Sequence, residues 1–202
     1  AATATARTNP LDGQPSIRKK HLYLKGRHTI APGIAFSVND DYSNNLALGV
    51  TWRYFVASWL GVGVDFGAGV GLETGLTSQI NSELSTEGKP FQLSTTSLML
   101  TTAAMVEVVP WQGKFLLGNW HGRIAFHLNF GFGMAVVAGT GRIDNQISIM
   151  PVGGIGMRVF ANRWIAVSFD VKDLVVNRVL ASRRDGSLPA PTWGHNWQVA
   201  FS

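Results

Sequence analysis

The chain has 202 residues, of which 46% are hydrophobic and only 14% are charged. Soluble domains usually carry about 25% charged residues, so this shortage needs a physical reason. The length suits one domain, and the aromatic and aliphatic content excludes an intrinsically disordered chain. Because the chain lacks cysteine, disulfides, thiolate zinc sites and cysteine nucleophiles are also excluded.

The net charge is +5 at pH 7, with a pI near 9.9. A basic chain can bind nucleic acid or anionic lipid, but these charges are scattered and form no stripe. We therefore expect no nucleic-acid partner. Residues 1–10 lack the basic start and apolar run of a signal peptide, so we expect an exported chain from which that peptide has been removed.

One segment is apolar enough to suggest a transmembrane helix, because residues 124–141 contain no Asp, Glu, Lys or Arg. Their order favours a strand instead. Large apolar side chains occupy the even positions from Ile124 to Val136, whereas Ala125, His127 and Asn129 begin a small or polar series at the odd positions. A strand places these two sets on opposite faces, whereas a helix would scatter them around its axis.

The same alternation recurs along the chain and predicts eight strands. The segments are 29–38, 45–54, 61–73, 98–108, 124–136, 149–159, 165–172 and 196–201. In the fourth segment, Leu98 and Leu100 fall on the apolar face, and Met99 and Glu107 fall on the opposite face.

The composition of the two faces decides the fold class. The wet face of a soluble barrel is polar, but here the face opposite the apolar one is mostly Gly, Ala and Ser. Small residues suit a crowded lumen, and a jacket of large apolar residues suits lipid. We therefore predict an all-β, eight-stranded antiparallel up-and-down barrel that spans the outer membrane, with a soluble glycine-rich barrel or sandwich as the alternative.

Aromatic residues cluster where the predicted strands end, which is typical of the interfacial girdle of a membrane barrel. These residues are Trp52, Tyr54, Phe55, Trp59, Trp111, Trp120, Phe160, Trp164, Trp193 and Trp197. The expected location is therefore the cell outer membrane, with outer-membrane lipid and lipopolysaccharide as neighbours.

The connections between strands fall into a short set and a long set. Short turns are expected at 56–58 and 161–163, and long polar loops at 40–44, 74–97, 139–146 and 177–195. Short turns are typical of the periplasmic side of such barrels. The connection at 110–122 is too long for that set, and one interpretation is that it extends the fourth and fifth strands.

A shift of 105 positions aligns one part of the chain with another. It superposes Gly49 on Gly154, Arg53 on Arg158, Phe55 on Phe160, Trp59 on Trp164, Val62 on Val167 and Asp65 on Asp170. Each copy is a predicted hairpin with an inward Arg and an inward Asp, and Glu107 with Arg123 repeats this arrangement with the signs reversed.

Opposite charges that face a narrow lumen are expected to pair, because an isolated buried charge is costly. The predicted lumen charge network contains Arg53, Asp65, Glu107, Arg123, His127, Arg158, Asp170 and Lys172. It is either a structural plug that fills and braces the lumen or a selectivity gate. The geometry favours the plug, because eight strands leave an interior just wide enough for side chains.

Several residues carry a family resemblance. The run Gly113–Phe115, the glycine-rich fifth segment, the run Gly154–Phe160, then Asn162 and Trp164, and the run Asp170–Asp173 together resemble the outer-membrane β-barrel domain of myxobacteria and their relatives. The resemblance extends from about Lys25 to the end of the chain. Some members of that family belong to the gliding-motility apparatus, so the resemblance implies a role in a cell-envelope protein complex.

No pattern in the sequence indicates catalysis. A lipid-modifying barrel needs a nucleophile beside a base, and no motif joins His127 or His195 to such a nucleophile. The spacing of the histidines does not suit a metal site, and the glycine-rich stretches lack the Lys-Ser/Thr tail of a phosphate loop. We expect a protein that is not an enzyme and has no cofactor, metal or small-molecule substrate.

The sequence divides into a polar, basic periplasmic arm at 1–27 and a barrel at 28–202. Basic clusters in the arm and in the fourth long loop are candidates for binding partners. These residues are Arg18, Lys19, Lys20, Arg178, Arg183 and Arg184. The predicted function is to anchor or assemble a cell-envelope complex with periplasmic or outer-membrane proteins, with a small pore or a lipid-modifying enzyme as the alternatives.

Overall fold

The computed structural model describes residues 24–38, 43–84, 96–117, 120–139, 145–162, 164–178 and 190–202. These residues form eight strands and one helix. The strands are β1 (His28–Ser37), β2 (Ser43–Ala57), β3 (Leu60–Glu73), β4 (Thr96–Leu117), β5 (Trp120–Gly139), β6 (Gln146–Phe160), β7 (Ala166–Arg178) and β8 (Thr192–Phe201), and the helix is α1 (Gly75–Leu84).

The strands pair in chain order as one antiparallel up-and-down sheet, and β8 pairs with β1 to close the barrel. The predicted all-β class, strand number and order are therefore confirmed. The closing seam is short, because it pairs only Ile34–Ser37 of β1 with 198–201 of β8. We use the name short-turn end for the end that carries the β2–β3 and β6–β7 turns, and long-connection end for the opposite one.

The predicted alternation of faces is confirmed on most strands. On β5, Phe126, Phe130 and Met134 are exposed on the outside, whereas Ala125 and Ala135 are buried inside. A continuous outward belt of exposed apolar side chains therefore surrounds the barrel. Its members include Ile30, Leu48, Phe66, Val106, Phe130, Phe132, Ile149, Ile155, Val167 and Phe201.

The alternation fails at one point in β4. Leu98, predicted on the apolar outward face, is buried in the interior, and Met99, predicted on the opposite face, is exposed. The cause is a register shift between Leu98 and Leu100 in the pairing with β5. A bulge inserts an extra residue and reverses which side chains face inward.

The connection at 110–122 extends β4 and β5, as one interpretation of the sequence suggested. A second register shift in β4 lies between Val108 and Trp111, and pairing with β5 then resumes and continues to Leu117 opposite Trp120. On the other side of β4, pairing with β3 reaches Leu60 opposite Val108. The β4–β5 hairpin therefore extends beyond the β2–β3 turn at the short-turn end.

The helix α1 lies in the connection between β3 and β4, where the sequence predicted only a polar loop. The backbone N–H of Thr77 donates to the Thr74 hydroxyl oxygen at 3.4 Å, which caps the first turn. The helix has 10 residues, and its apolar residues form only a weak helical pattern. Leu76 at its start is exposed. Among the described residues, no helix combines the length and apolarity needed to cross a bilayer.

Apolar side chains fill the barrel interior at two levels. The larger cluster lies towards the long-connection end and contains Leu98, Ala103, Met105, Ala135, Val137, Met150, Val152, Leu174 and Val176. The smaller one, which we call the floor cluster, lies at the short-turn end and contains Leu24, Phe55, Val109 and Ala125. Polar side chains occupy the space between these two clusters.

The floor cluster corrects one prediction and adds a contact. Phe55, assigned to the outward girdle, is fully buried inside because it falls on the inward positions of β2. Leu24, which the sequence placed in the arm, packs beside it. The Gly26 N–H donates to the Phe55 carbonyl at 2.7 Å, and the Phe55 N–H donates to the Arg27 carbonyl at 3.0 Å. Residues 26 and 27 therefore continue the pairing of β1 with β2, and Leu24 lies at the short-turn mouth of the barrel.

Candidate functional site

The charged residues of the lumen form the candidate site. Arg53, Glu107, His127, Arg158 and Asp170 lie on inward positions of five different strands and are buried. The sequence placed all of them inward, because each falls on the small-residue parity of its strand. The closed sheet brings them to one level, just above the floor cluster.

Arg53 occupies the centre of this group and is only 1% exposed. Its Nη1 lies 2.6 Å from Asp65 Oδ1, and its Nε lies 3.6 Å from Glu107 Oε2. The same Nη1 donates to the Trp52 and Val64 carbonyls at 3.1 and 3.2 Å. One guanidinium therefore joins two carboxylates and the backbone of β2 and β3.

Glu107 lies between two guanidinium groups and is also 1% exposed. Arg158 Nη1 donates to Glu107 Oε1 at 2.8 Å, and Arg158 Nη2 donates to Oε2 at 3.1 Å. This bidentate geometry is the strong form of an Arg–carboxylate contact. Because β4 carries Glu107 and β6 carries Arg158, the pair crosses β5 and braces the lumen.

Two further groups extend the network towards the larger apolar cluster. Lys172 Nζ donates to Asp65 Oδ2 at 2.9 Å. His127 Nε2 lies 2.6 Å from Asp170 Oδ1, which also accepts from Asn129 at 3.1 Å. A cavity of about 100 Å³ lies among Asp65, Asp170 and Lys172.

Formal charges in this lumen network balance. The three carboxylates Asp65, Glu107 and Asp170 lie among three permanent cations, which are Arg53, Arg158 and Lys172. Charge balance with short contacts is what makes burial of this many ions tolerable. His127 adds a hydrogen-bonding group beside Asp170.

The internal repeat reappears in the strand register. Arg53 lies opposite Gly63, and Arg158 lies opposite Ser168, which is the same offset in both hairpins. The partners of the two copies differ, because Arg53 contacts the aspartate of its own hairpin while Arg158 contacts Glu107 of β4. The second aspartate, Asp170, instead contacts His127 and the Ser168 hydroxyl.

Arg123 lies outside this network. The sequence paired it with Glu107, but among the described residues no ion pair joins the two, and Glu107 contacts Arg53 and Arg158 instead. Arg123 lies opposite Lys114 on the extended β4–β5 hairpin, beyond the floor cluster. The hairpin extension therefore removes Arg123 from the level at which Glu107 lies.

Polar residues that the sequence did not single out form hydrogen bonds inside the barrel towards the long-connection end. The Leu98 N–H donates to Asn45 Oδ1 at 2.9 Å, the Asn45 N–H donates to the Ser37 hydroxyl oxygen at 2.6 Å, and Gln198 donates to Asn196 Oδ1 at 3.0 Å. Their inward parity is visible in the sequence. The contacts themselves join β1 to β2, β2 to β4 and two residues of β8, and parity does not specify them.

The described residues contain no arrangement typical of nucleophilic catalysis. His127 is paired with Asp170, but its Nδ1 is buried and has no hydrogen-bond partner, so no hydroxyl reaches it. His195 Nδ1 lies 2.6 Å from Asp173 Oδ2 at the long-connection end, and its side chain is exposed. Within the same part of the chain, no group of His, Cys, Asp and Glu has the geometry of a metal site.

The partner-binding candidates from the sequence fall mostly outside the described residues. Arg18, Lys19, Lys20, Arg183 and Arg184 all lie there. Arg178 ends β7, and its backbone pairs with Thr192. These six residues remain predictions.

The network predicts a large stability effect at Glu107. Glu107→Gln leaves the buried guanidinium groups of Arg53 and Arg158 without their shared carboxylate, so the free energy of unfolding should fall by about 3–5 kcal/mol. The matched control is Arg123→Gln, which should change it by less than about 0.5 kcal/mol because Arg123 lies outside the network. Urea unfolding in detergent micelles, followed by tryptophan fluorescence, measures both. Equal losses of unfolding free energy in the two variants would contradict the role of Glu107 as the shared carboxylate of the network.

Comparison with known proteins gives no relative. No protein-family model, curated protein or solved structure matches the chain. The resemblance to the myxobacterial outer-membrane barrels therefore stays a prediction from the residues that carry it.

Proposed function

We propose that the chain spans the outer membrane as a barrel with a blocked lumen and that it anchors a cell-envelope protein complex. The observation that carries the proposal is the inverted distribution of side chains. Apolar residues form an exposed belt around the closed sheet, whereas paired charges occupy the interior.

The size of the belt supports contact with lipid. Soluble monomers rarely expose contiguous apolar patches larger than a few hundred Å². Here every strand contributes exposed large apolar side chains, among them Ile30, Phe66, Phe130 and Ile155. A soluble barrel with this sequence would leave these side chains in water and bury charges inside, which reverses the usual gain from folding.

Closure of the sheet supports the same proposal. In hydrocarbon, each unsatisfied backbone N–H or C=O costs several kcal/mol, so a spanning sheet must close on itself. The pairing of β8 with β1 closes the sheet along Ile34–Ser37. Exposed tryptophans near the short-turn end, Trp59, Trp111 and Trp164, suit the interface between lipid and water.

The filled lumen favours an anchor over a pore. The ion pairs around Arg53 and Glu107 cross the interior, and the floor cluster with Leu24 lies directly below them. The interior of an eight-stranded barrel is just wide enough for side chains to fill it. The surfaces that remain for function are therefore the two ends of the barrel.

The nature of the complex is proposed from the resemblance. The myxobacterial barrels that this sequence resembles include members of the gliding-motility apparatus, and we propose an envelope complex of that kind as the partner. No chemical step is assigned to the barrel, because in the described part of the chain no nucleophile accompanies His127.

An arginine placed on the belt tests the membrane location. Phe130 is 54% exposed near the middle of β5, so in water Phe130→Arg would have little effect on stability. At the centre of a bilayer the same change should lower the free energy of unfolding by about 2–4 kcal/mol. The control is Ile147→Arg, at a side chain that is 75% exposed near the long-connection end, where the cost should be about 0–1 kcal/mol.

The measurement is unfolding by guanidinium of each variant folded into phosphatidylcholine vesicles. A difference of at least about 1 kcal/mol between the two variants is expected from the depth dependence. Equal and small effects would contradict a membrane-spanning barrel and would favour a soluble one.

Electrical recording separates the anchor from the pore. Because paired charges and the floor cluster block the lumen, the purified chain in a planar bilayer should show no large and steady conductance. Glu107→Ala, which removes the shared carboxylate, serves as the comparison and should show transient openings. A steady, ion-selective conductance of the unaltered chain would contradict the proposed anchor and would indicate a channel.

A further inference from the structure

One carboxylate points outward from the barrel wall, away from the lumen network. Asp173 on β7 alternates with Lys172 and Leu174, whose side chains lie in the lumen, so its own side chain lies on the outward face. Elsewhere this face carries the apolar belt, with Val167 and Phe169 earlier on the same strand. Ionisable residues at membrane depth are costly and usually mark a functional contact.

The wall is open beside Asp173, because its neighbour on one side is a glycine. The register places Asp173 between Gly153 of β6 and Trp197 of β8. A Cβ added at Gly153 would meet no atom within 4 Å. On the other side, Trp197 is exposed. We use the name wall notch for Gly153, Asp173, His195 and Trp197.

The Asp173 carboxyl group lacks a hydrogen-bond donor on one oxygen. Its Oδ2 lies 2.6 Å from His195 Nδ1, whereas its Oδ1 is buried and has no hydrogen-bond partner within the described ranges. The side chain as a whole is 19% exposed. Because rotation of the carboxyl group exchanges the two oxygens, a donor that approaches from outside the barrel can bond to this group. Such a contact is strongest when the donor is charged.

The depth of the wall notch indicates which ligand can reach it. Asp173 lies seven residues beyond Ala166, where β7 begins beside the exposed Trp164. At about 3.3 Å per residue and a strand tilt of about 40°, this distance is about 18 Å along the membrane normal. The apolar band of such barrels is about 25 Å tall, so Asp173 lies towards its far edge. Lipid headgroups begin at that edge, and the exposed Trp193 and Trp197 suit the same interface.

We propose that the wall notch binds the headgroup of a membrane lipid that carries a primary ammonium group, as phosphatidylethanolamine does. This inference rests on the proposed function and names the class of lipid that the barrel wall recognises. An ammonium group brings a positive charge and three N–H donors to the Asp173 carboxyl group, and the face of Trp197 attracts cations. A choline headgroup has no N–H and cannot supply the missing hydrogen bond.

The test uses the full chain in dodecyl maltoside micelles and counts the lipids that it retains by native mass spectrometry. The probes are dihexanoyl phosphatidylethanolamine and dihexanoyl phosphatidylcholine, which differ in the N–H donors of the headgroup. The ethanolamine lipid should bind about tenfold more tightly, which corresponds to about 1.4 kcal/mol. Equal binding of the two lipids would overturn the proposal.

Asp173→Asn removes the charge and keeps an oxygen acceptor for His195, so this variant should fold. It should lose most of the preference for the ethanolamine lipid. The matched control is Glu83→Gln, which makes the same change from carboxylate to amide on exposed α1 and should keep the full preference. An equal loss in both variants, or a full preference in Asp173→Asn, would overturn the proposal.

A second variant, Asp173→Val, removes the acceptor altogether. Valine already occupies the outward positions 171 and 175 of β7, so this residue suits the wall. The variant should fold and should bind the two lipids equally. A retained preference for the ethanolamine lipid would place its site elsewhere on the barrel and would overturn the proposal.

Two further results separate this inference from the proposed function. If dihexanoyl phosphatidylglycerol binds as tightly as the ethanolamine lipid, the wall notch does not select an ammonium group and the inference fails. If the chain spans the bilayer, as the arginine substitutions measure, but shows no lipid preference, the ammonium site is excluded while the membrane barrel stands. Failure of the chain to insert would instead overturn the proposed function.

Discussion

Each strand of a closed sheet places successive side chains alternately inside and outside, and the rest of the structure depends on that constraint. On β5 a single run from Ile124 to Val136 supplies both the outer belt and the lining of the lumen. The low charge content of the sequence follows from this arrangement, because half of every strand faces outward and carries apolar residues.

The lumen depends on pairing, because an eight-stranded interior has no room for a hydrated ion beside each charge. Glu107 is the critical residue, since it neutralises Arg158 through two hydrogen bonds and also lies 3.6 Å from Arg53. The network and the floor cluster together fill the interior near the short-turn end and hold the strands together across the lumen. This arrangement leaves the two ends of the barrel as the surfaces that we propose for contact with another protein.

Period-two alternation made most of the fold predictable from the sequence. Strand number, order and inward residues such as Arg53 and Asp170 follow from parity, which is a local property. The bulge at Leu98 was not predictable, because one inserted residue leaves the composition of β4 unchanged while it reverses the faces. The helix α1 was missed because its pattern is too weak to stand out from a polar loop.

The partners within the site were less predictable than its members. The two similar hairpins place Arg53 and Arg158 at the same register, yet one contacts Asp65 and the other Glu107. Which cation reaches which carboxylate depends on distances across the closed lumen, and these distances have no counterpart in sequence spacing. For the same reason, Arg123 was assigned to the network although the extended hairpin carries it beyond the floor cluster.

The central claim is that the outward face contacts lipid, and the accessibility of single spin labels tests it most directly. Because the chain lacks cysteine, a label at Phe130→Cys on the belt and another at Leu76→Cys on exposed α1 report on one site each. In vesicles, the label at 130 should be accessible to oxygen and shielded from a water-soluble nickel chelate, whereas the label at 76 should be accessible to both. Equal access of the chelate to both positions would contradict contact between the outward face and lipid.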